Sequence, residues 1–161
     1  MRTEERKPLR LDSYDYSQPG TYFVTICTLD RSKLFWSAPP VGQGLCPCLS
    51  VEGNIAGKEL ETLAARFPSV TVDKYVIMDD HIHALLTLDR QGQSPCPTLG
   101  AVIGAYKSIT TKRINEVRET QGKRVWQRRF YDHVIRDEND FLTKWNYIDT
   151  NPCRRREQNE E

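Results

Sequence analysis

The amino-acid sequence predicts an α+β fold, a ferredoxin-like antiparallel sheet with helices packed mainly on one face and a further C-terminal helix that carries a tyrosine. Two observations predict this fold. Local patterns give the order strand, helix, strand, strand, helix, strand, helix, without a long-period repeat or a linker. The length of 161 residues, with 38% hydrophobic and 28% charged residues, is typical of one domain with a buried core.

The elements of the first half follow from residue type and spacing. Residues 21–29 are rich in β-branched and aromatic side chains, which favours a strand. Residues 52–67 carry apolar side chains at near-helical spacing before Pro68, which predicts an amphipathic helix. Residues 70–78 and 81–88 read as two strands separated by a two-residue turn, so we expect a β-hairpin.

The second half is predicted to contain two helices around one strand. Thr98 is a suitable N-cap for a long helix that runs through Ile114. Residues 125–135 are bulky throughout and predict a strand. Residues 138–151 predict a last helix that Pro152 ends.

His81 and His83 form the first candidate site. They are two residues apart on a predicted strand, so both imidazoles should project from the same face of the sheet. Neutral imidazole is the commonest nitrogen ligand for metals in proteins. The pair therefore predicts a metal site, with two ordinary polar side chains on a solvated sheet face as the alternative.

Tyr147 and Asn151 form the second candidate site. The apolar face of the last helix is expected to consist of Phe141, Leu142, Trp145 and Ile148. Helical rotation places Tyr147 on the far side from Trp145, and Asn151 lies one turn after Tyr147 on the same face. This face offers a phenol and an amide oxygen, and the alternative is a surface tyrosine with a helix-ending asparagine.

Together these side chains suggest a metal-assisted attack by a phenol on phosphorus. Two imidazoles and an amide oxygen supply three ligands and leave positions for phosphate oxygens, which the metal would polarise. A phenol has an ordinary pKa of about 10, so it needs the metal or a nearby base to lose its proton before acting as a nucleophile. Mixed nitrogen and oxygen ligands fit Mg²⁺ or Mn²⁺, with zinc as an alternative from the ligands alone.

Six motifs resemble, in chain order, those of the single-tyrosine HUH transposases, specifically the REP-associated tyrosine transposase branch. They are residues 20–28 (GTYFVTICT), 81–83 (HIH), 104–108 (GAYKS), 125–128 (VWQR), 131–136 (YDHVIR) and 147–152 (YIDTNP). The resemblance extends over nearly the whole chain, about residues 14–152.

The resemblance implies a role for each candidate residue. His81, His83 and Asn151 would bind a divalent metal, and Tyr147 would be the nucleophile that forms a 5′-phosphotyrosine link to single-stranded DNA. The implied activity is metal-dependent cleavage and rejoining of single-stranded, hairpin-containing (REP-like) DNA. The chain departs from the family at Asp79-Asp80, where Pro-Asn is frequent, and two carboxylates there would either strengthen cation binding or hinder the approach of phosphate.

Basic residues are concentrated between positions 107 and 136, where nine Lys and Arg stand against three Asp and Glu, although the whole chain carries a net charge of only +1. Aromatic residues that could stack on unpaired bases lie among them, namely Trp126, Phe130 and Tyr131. The candidate DNA-binding residues are Lys107, Lys112, Arg113, Arg124, Trp126, Arg128 and Arg129. The alternative is a solvated helix and strand edge.

The remaining expectations concern organisation and partners. We expect one domain over residues 14–152, charged mobile tails over 1–13 and 153–161, and a monomer or a homodimer. No stretch approaches the ~20 apolar residues of a membrane span, and the charged N-terminus lacks a signal segment. These features favour a cytoplasmic, nucleoid-associated protein of bacterial type, with single-stranded or hairpin DNA and no membrane as its partner.

Two other functions stay open at this point. One is a non-catalytic single-stranded DNA-binding protein that keeps the fold but does not cleave. The other is a zinc protein that uses the histidines together with Cys46 and Cys48, although a one-residue spacing is not typical of zinc sites. The odd count of five cysteines favours free thiols in a reducing compartment.

Overall fold

The computed structural model describes residues 19–37, 48–89 and 97–159, with side chains up to residue 151. The strands are β1 (Gly20–Cys27), β2 (Trp36–Ser37), β3 (Cys48–Leu49), β4 (Val70–Ile77), β5 (His81–Leu88) and β6 (Tyr131–Val134). The helices are α1 (Val51–Glu61), α2 (Leu63–Arg66), α3 (Leu99–Arg118) and α4 (Glu138–Asn159), and a 3₁₀ turn spans Leu29–Arg31.

The main sheet has four strands in the order β4-β5-β1-β6, and every neighbouring pair is antiparallel. Along the chain, α1 lies between β1 and β4, and α3 lies between β5 and β6. Together with the sheet order, these connections define the ferredoxin-like topology. The predicted fold class is therefore confirmed, as is the hairpin between β4 and β5. No helix among the described residues is both long and apolar enough to cross a membrane.

The two faces of the sheet differ in what covers them. On one face, alternate residues of β1 and β5 such as Val24 and Leu86 join α1 and α3 in the main core. On the other face, Phe23 and Leu85 pack with Ile148 of α4 in a smaller cluster, which we call the α4 seam. Both faces of the central strands are covered, which explains why seven of the eight residues of β5 are buried.

The predicted helix over residues 52–67 is two helices that meet at Thr62. The Thr62 hydroxyl donates a hydrogen bond to the carbonyl oxygen of Glu59 at 3.3 Å. A threonine that bonds to the backbone in this way competes with regular helix hydrogen bonding, so α1 ends and the short α2 begins.

The predicted strand over residues 125–135 is wrong in its first half. Only Tyr131–Val134 pairs as a strand, and the preceding segment makes a single bridge between Trp126 and Thr28. Val125 and Trp126 are both buried, which is incompatible with the alternation of a strand that has one exposed face. The carbonyl oxygen of Gln127 accepts a hydrogen bond from the Lys107 ammonium and not from the backbone of a neighbouring strand.

The last helix continues beyond Asn151, which corrects the prediction that Pro152 ends it. α4 extends to Asn159. A proline inside a helix removes one backbone hydrogen bond and costs about 3 kcal/mol, but it does not forbid the helical backbone on either side. The helix therefore carries Tyr147 well inside its length and not in its last turn.

Candidate active site

The register of β1 and β5 places both histidines on the face of the sheet that α4 covers. His81 lies opposite Cys27, and His83 lies opposite Thr25. Both imidazoles are buried, and their Nε2 atoms are 3.1 Å apart. The two nitrogen atoms therefore converge on one point, as the sequence spacing predicts.

Each imidazole is held by a hydrogen bond at its other nitrogen atom. His81 Nδ1 lies 2.6 Å from a carboxylate oxygen of Asp80, and His83 Nδ1 lies 2.8 Å from the hydroxyl oxygen of Thr25. Since a carboxylate paired with arginine accepts hydrogen bonds, His81 carries its proton on Nδ1 and presents an Nε2 lone pair. The Thr25 hydroxyl can donate or accept, so His83 can use either tautomer.

Burial, assisted by nearby positive charges, lowers the pKa of His83 to about 3. His83 is therefore neutral at physiological pH, which is the state that binds metal. The separation of the two Nε2 atoms also suits a metal. The two Nε2 atoms are within hydrogen-bond distance of each other, so they are close enough for one ion to contact both.

Asp80 and Arg31 form a second layer behind His81. The carboxylate of Asp80 accepts a hydrogen bond from Arg31 Nε at 3.1 Å, and another nitrogen of Arg31 lies 2.9 Å from the sulfur of Cys27. The ligand atoms of Asp79, Asp80 and His81 all lie within 4.8 Å of one another. These three side chains could therefore hold a cation. No cysteine among the described residues belongs to this group, which bears on the zinc alternative.

Tyr147 lies against the histidines of its own chain. The centroid of its ring is 5.3 Å from that of His83 and 5.8 Å from that of Phe23. Its side chain is 38% exposed, so the phenol is accessible at the edge of α4. Tyr147 and Ile148 both lie against the sheet, while Trp145, from which helical rotation separates Tyr147, lies toward β4.

The apolar face of α4 also differs from the prediction at Leu142, which is 50% exposed. Lys144, Tyr147 and Ile148 follow the helical spacing and lie against the sheet at Phe23 and His83. This stripe mixes polar and apolar residues, so hydrophobic periodicity alone does not reveal it. Trp145 instead lies toward β4, where the Lys74 ammonium is 4.2 Å from its ring centroid.

Asn151 is half-buried, and its Nδ2 atom is buried without a hydrogen-bond partner among the described residues. The oxygen and nitrogen atoms of a side-chain amide exchange places on a 180° rotation. That rotation would bring the amide oxygen, which can bind a cation, to the same unsatisfied position. Two imidazoles and an amide oxygen are donor types that a divalent metal accepts, so the chemistry of these three side chains fits such an ion.

Other tyrosines are less suited to nucleophilic attack. Tyr106 is fully buried and donates to the carbonyl oxygen of Ala56, and Tyr75 donates to Glu61. Burial raises the pKa of both phenols; the hydrogen bond to Glu61 adds to the shift of Tyr75, whose pKa rises to about 12, and the charge of Glu59 adds to that of Tyr106. Tyr14 and Tyr16 lie outside the described residues, as does Cys46.

A basic cleft of about 550 Å³ lies between α3 and the segment that precedes β6. Its basic lining residues are Lys107, Lys112, Lys123, Arg124 and Arg128. The backbone N–H of Gln127 donates to the carbonyl oxygen of Cys27, the residue that lies opposite His81. The cleft and the histidine pair thus meet at the end of β1.

The predicted DNA-binding residues divide into two groups. Lys112, Arg124, Arg128 and Arg129 are exposed, and in the described part of the chain none of them forms an ion pair. Lys107 is instead tethered to two backbone carbonyl groups, and Arg113 pairs with the buried carboxylate of Glu59 at 2.6 Å.

Trp126 is a correction to the predicted base-stacking residues. It is 4% exposed, and its indole N–H donates to the hydroxyl of Thr110. Phe130 is buried as well, so neither ring presents a face to a base. Tyr131 remains 53% exposed and lies in register with Thr25, on the same face as His83.

His133 has a structural role. Its Nε2 lies 2.8 Å from a carboxylate oxygen of Asp140 at the start of α4, and this pair joins β6 to the helix. The sequence patterns indicate Asp80 as a carboxylate beside the histidines, but they do not indicate Thr25 or Arg31. Strand register reveals Thr25, and the hydrogen bond to Asp80 reveals Arg31.

Comparisons with known proteins agree with this geometry. The family model for IS200-like transposases matches residues 58–151. An uncharacterized protein of Haemophilus influenzae is 30% identical over 164 residues, which cover 91% of this chain and 88% of that protein. A second Haemophilus influenzae protein, provisionally named a REP-associated tyrosine transposase, is 26% identical over 87% of this chain and 74% of its own length.

Two solved structures share the fold. A REP-associated tyrosine transposase bound to a REP hairpin has a TM-score of 0.58 and 20% identity, covering 91% of this chain and 74% of that one. A protein of Deinococcus radiodurans R1 provisionally assigned as a transposase has a TM-score of 0.50 and 16% identity, covering 88% of this chain and 95% of that one.

The fold, the histidine pair and the family match together define a DNA-processing enzyme of the transposase class. The chain belongs to the IS200-like transposase family. The resemblance to REP-associated tyrosine transposases that the motifs predict is confirmed.

Proposed function

We propose that this protein cuts and rejoins single-stranded DNA through a 5′-phosphotyrosine intermediate on Tyr147. The observation that carries the proposal is the contact between the rings of Tyr147 and His83 within one chain. A nucleophile and a metal-binding pair on the same sheet face are the minimum that this chemistry needs. In this proposal, Tyr147 acts at the histidine pair of its own chain.

In the proposed reaction, the phenol oxygen of Tyr147 attacks a backbone phosphorus of the DNA. A P–O bond to the tyrosine forms as the P–O3′ bond breaks, the phenol releases its proton, and the departing 3′ oxygen takes one up. The phosphate stays diester throughout, so a free 3′ hydroxyl can reverse the step and join a new end without an energy source. Rejoining is therefore built into the cleavage chemistry.

His81, His83 and Asn151 would hold a divalent metal, Mg²⁺ or Mn²⁺. When bound, the metal supplies Lewis-acid polarisation of the phosphate and withdraws negative charge that develops on it. Two imidazoles with an amide oxygen would suit Mg²⁺ or Mn²⁺, with zinc as the alternative. The hydrogen bonds of His81 to Asp80 and of His83 with Thr25 would fix the orientation of the imidazole rings that hold the metal.

The DNA partner is proposed to be single-stranded DNA that carries a hairpin. The solved structure with the same fold is bound to a REP hairpin. In this chain, Lys112, Arg124 and Arg128 line the basic cleft and would neutralise backbone phosphates of a stem. The exposed ring of Tyr131 lies on the site face, where an unpaired base next to the cleaved phosphate could stack on it.

A denaturing gel tests the nucleophile. The protein is incubated with a fluorescent hairpin oligonucleotide and Mn²⁺, and covalent protein–DNA adducts are counted with and without EDTA. We expect adducts with the natural chain, none with Tyr147→Phe, and undiminished adducts with the matched control Tyr75→Phe. Hairpin binding should be nearly equal in all three proteins.

The results of these experiments distinguish the proposed function from the two alternatives, a non-catalytic DNA-binding protein and a zinc protein. Adducts that persist in Tyr147→Phe would show that another residue is the nucleophile. Tight hairpin binding without adducts under any divalent metal would instead identify a non-catalytic DNA-binding protein. Metal content that falls on Cys46→Ser would favour the zinc alternative.

A further inference from the structure

Lys144 occupies the site face of α4 one turn before Tyr147. Its ammonium lies 5.0 Å from the ring centroid of Phe23. The same Phe23 ring stacks on His83 at 5.2 Å and meets the edge of Tyr147 at 5.8 Å. A single aromatic ring thus holds a cation, a candidate metal ligand and a candidate nucleophile around it.

The ammonium of Lys144 forms no ion pair with a carboxylate in the described part of the chain. Lys74 on the neighbouring strand pairs with Asp149, and Lys107 bonds two carbonyl groups, so those two ammonium groups have partners. A cation held by a ring face keeps its N–H donors available for an anion.

We propose that Lys144 is a catalytic residue that binds a non-bridging oxygen of the phosphate that Tyr147 attacks. The inference rests on the proposed function. As the phenol oxygen bonds to phosphorus, negative charge accumulates on the non-bridging oxygens, and a fixed ammonium beside them stabilises it. The alternative is that Lys144 only anchors α4 on Phe23 by a cation–π contact, which would affect stability but not phosphate chemistry.

The test compares Lys144→Gln, Lys144→Met and Lys144→Arg with the control Lys58→Gln, an exposed lysine of α1 that belongs to the opposite face of the sheet. Single-turnover adduct formation is measured on a hairpin oligonucleotide at saturating protein and Mn²⁺. Removing one donor of this kind typically slows catalysis about 100-fold. We expect that loss in the Gln and Met variants, partial retention in Lys144→Arg, and no change in the control.

A second substrate separates phosphate contact from anchoring. A methylphosphonate at the cleaved position replaces one charged oxygen by a neutral methyl group, so it removes the partner of Lys144. The loss caused by Lys144→Met should shrink on this substrate to about 10-fold or less, as expected for two changes that delete the same interaction. Urea denaturation checks that the variants are folded.

Equal rates in the natural chain and in both neutral variants would overturn the role of Lys144, as would the same fold-loss on both substrates. Absence of adducts with the natural chain would overturn the proposed function itself, so the two failures differ. The Met variant keeps an unbranched apolar side chain beside Phe23, which guards against a loss caused by a displaced helix.

Discussion

Replacing Asp80 should weaken metal binding without touching a proposed ligand. The carboxylate of Asp80 lies 2.6 Å from His81 Nδ1 and also accepts from Arg31, so it fixes the His81 tautomer and raises the basicity of Nε2. Outer partners of this kind are typically worth about 10- to 100-fold in metal affinity, or about 1.4 to 2.7 kcal/mol. We expect that loss in Asp80→Ala.

Asp80→Asn should have a smaller effect, because its amide oxygen can still accept from His81. A hydrogen bond to a charged acceptor is about twice as strong as one to a neutral acceptor. The amide should therefore keep about half of the free energy, which corresponds to a loss of about 3- to 10-fold. A metal affinity that falls from the natural chain to Asp80→Asn and again to Asp80→Ala distinguishes a hydrogen-bond role of Asp80 from a purely structural one.

The assay is calorimetric titration of the DNA-free protein with Mn²⁺, which reads the metal site without catalysis. Asp89→Asn, an exposed carboxyl group just beyond the opposite end of β5, is the matched control. Unfolding in urea shows whether each variant keeps its fold. An unchanged Mn²⁺ affinity in folded Asp80→Ala would refute the argument, as would equal losses for Asn and Ala.

Two further predictions concern the attachment of α4 and the basic cleft. Burial pushes the pKa of Asp140 upward, but hydrogen bonds from His133 and from the backbone, together with nearby positive charge, lower it below its ordinary 3.8. Asp140→Asn should cost about 1 kcal/mol of unfolding free energy at pH 7. A depressed pKa means that only the ionised carboxylate stabilises the fold, so urea denaturation should show this difference vanishing as the pH falls from about 5 to about 2. A difference that persists in acid would contradict this. The double variant Arg124→Gln, Arg128→Gln should reduce the slope of log hairpin affinity against log salt by about 1.4 to 1.8, as expected for two lost phosphate contacts. Fluorescence anisotropy measures this slope, with Lys58→Gln as the control. An unchanged slope would show that neither side chain contacts the DNA backbone.

The alternation of apolar and polar residues was sufficient to predict β5 and the direction of its histidines. His81 and His83 share a face because the strand period is two, and the strand boundaries agree with the structure. Thr98 caps α3 through a hydrogen bond from the backbone N–H of Ala101. These features depend on short-range geometry, which the sequence contains directly.

The positions of Trp126 and Tyr147 depend on tertiary packing, which local sequence patterns do not predict. Trp126 lies among basic residues, yet a hydrogen bond to Thr110 and contact with the rings of Phe35 and Tyr106 place it in the core. Tyr147 faces the sheet because of how α4 packs on it, through Ile148 and the pairing of His133 with Asp140, which no local pattern encodes. The roles of His81, His83, Asn151 and Tyr147 stay predictions until the experiments above are done.

The α4 seam has a consequence for the proposed attachment of DNA to Tyr147. Among the described residues it is a small apolar cluster, Phe23, Leu85 and Ile148 with their partly buried neighbours, supplemented by the pairs His133–Asp140 and Lys74–Asp149, whereas the main core lies beyond the opposite face. Segments with little buried apolar area open at a lower free energy than the rest of a domain. In the proposed function, an opening of α4 would carry the phenol and the DNA end bonded to it away from the imidazoles, while the main core stays intact.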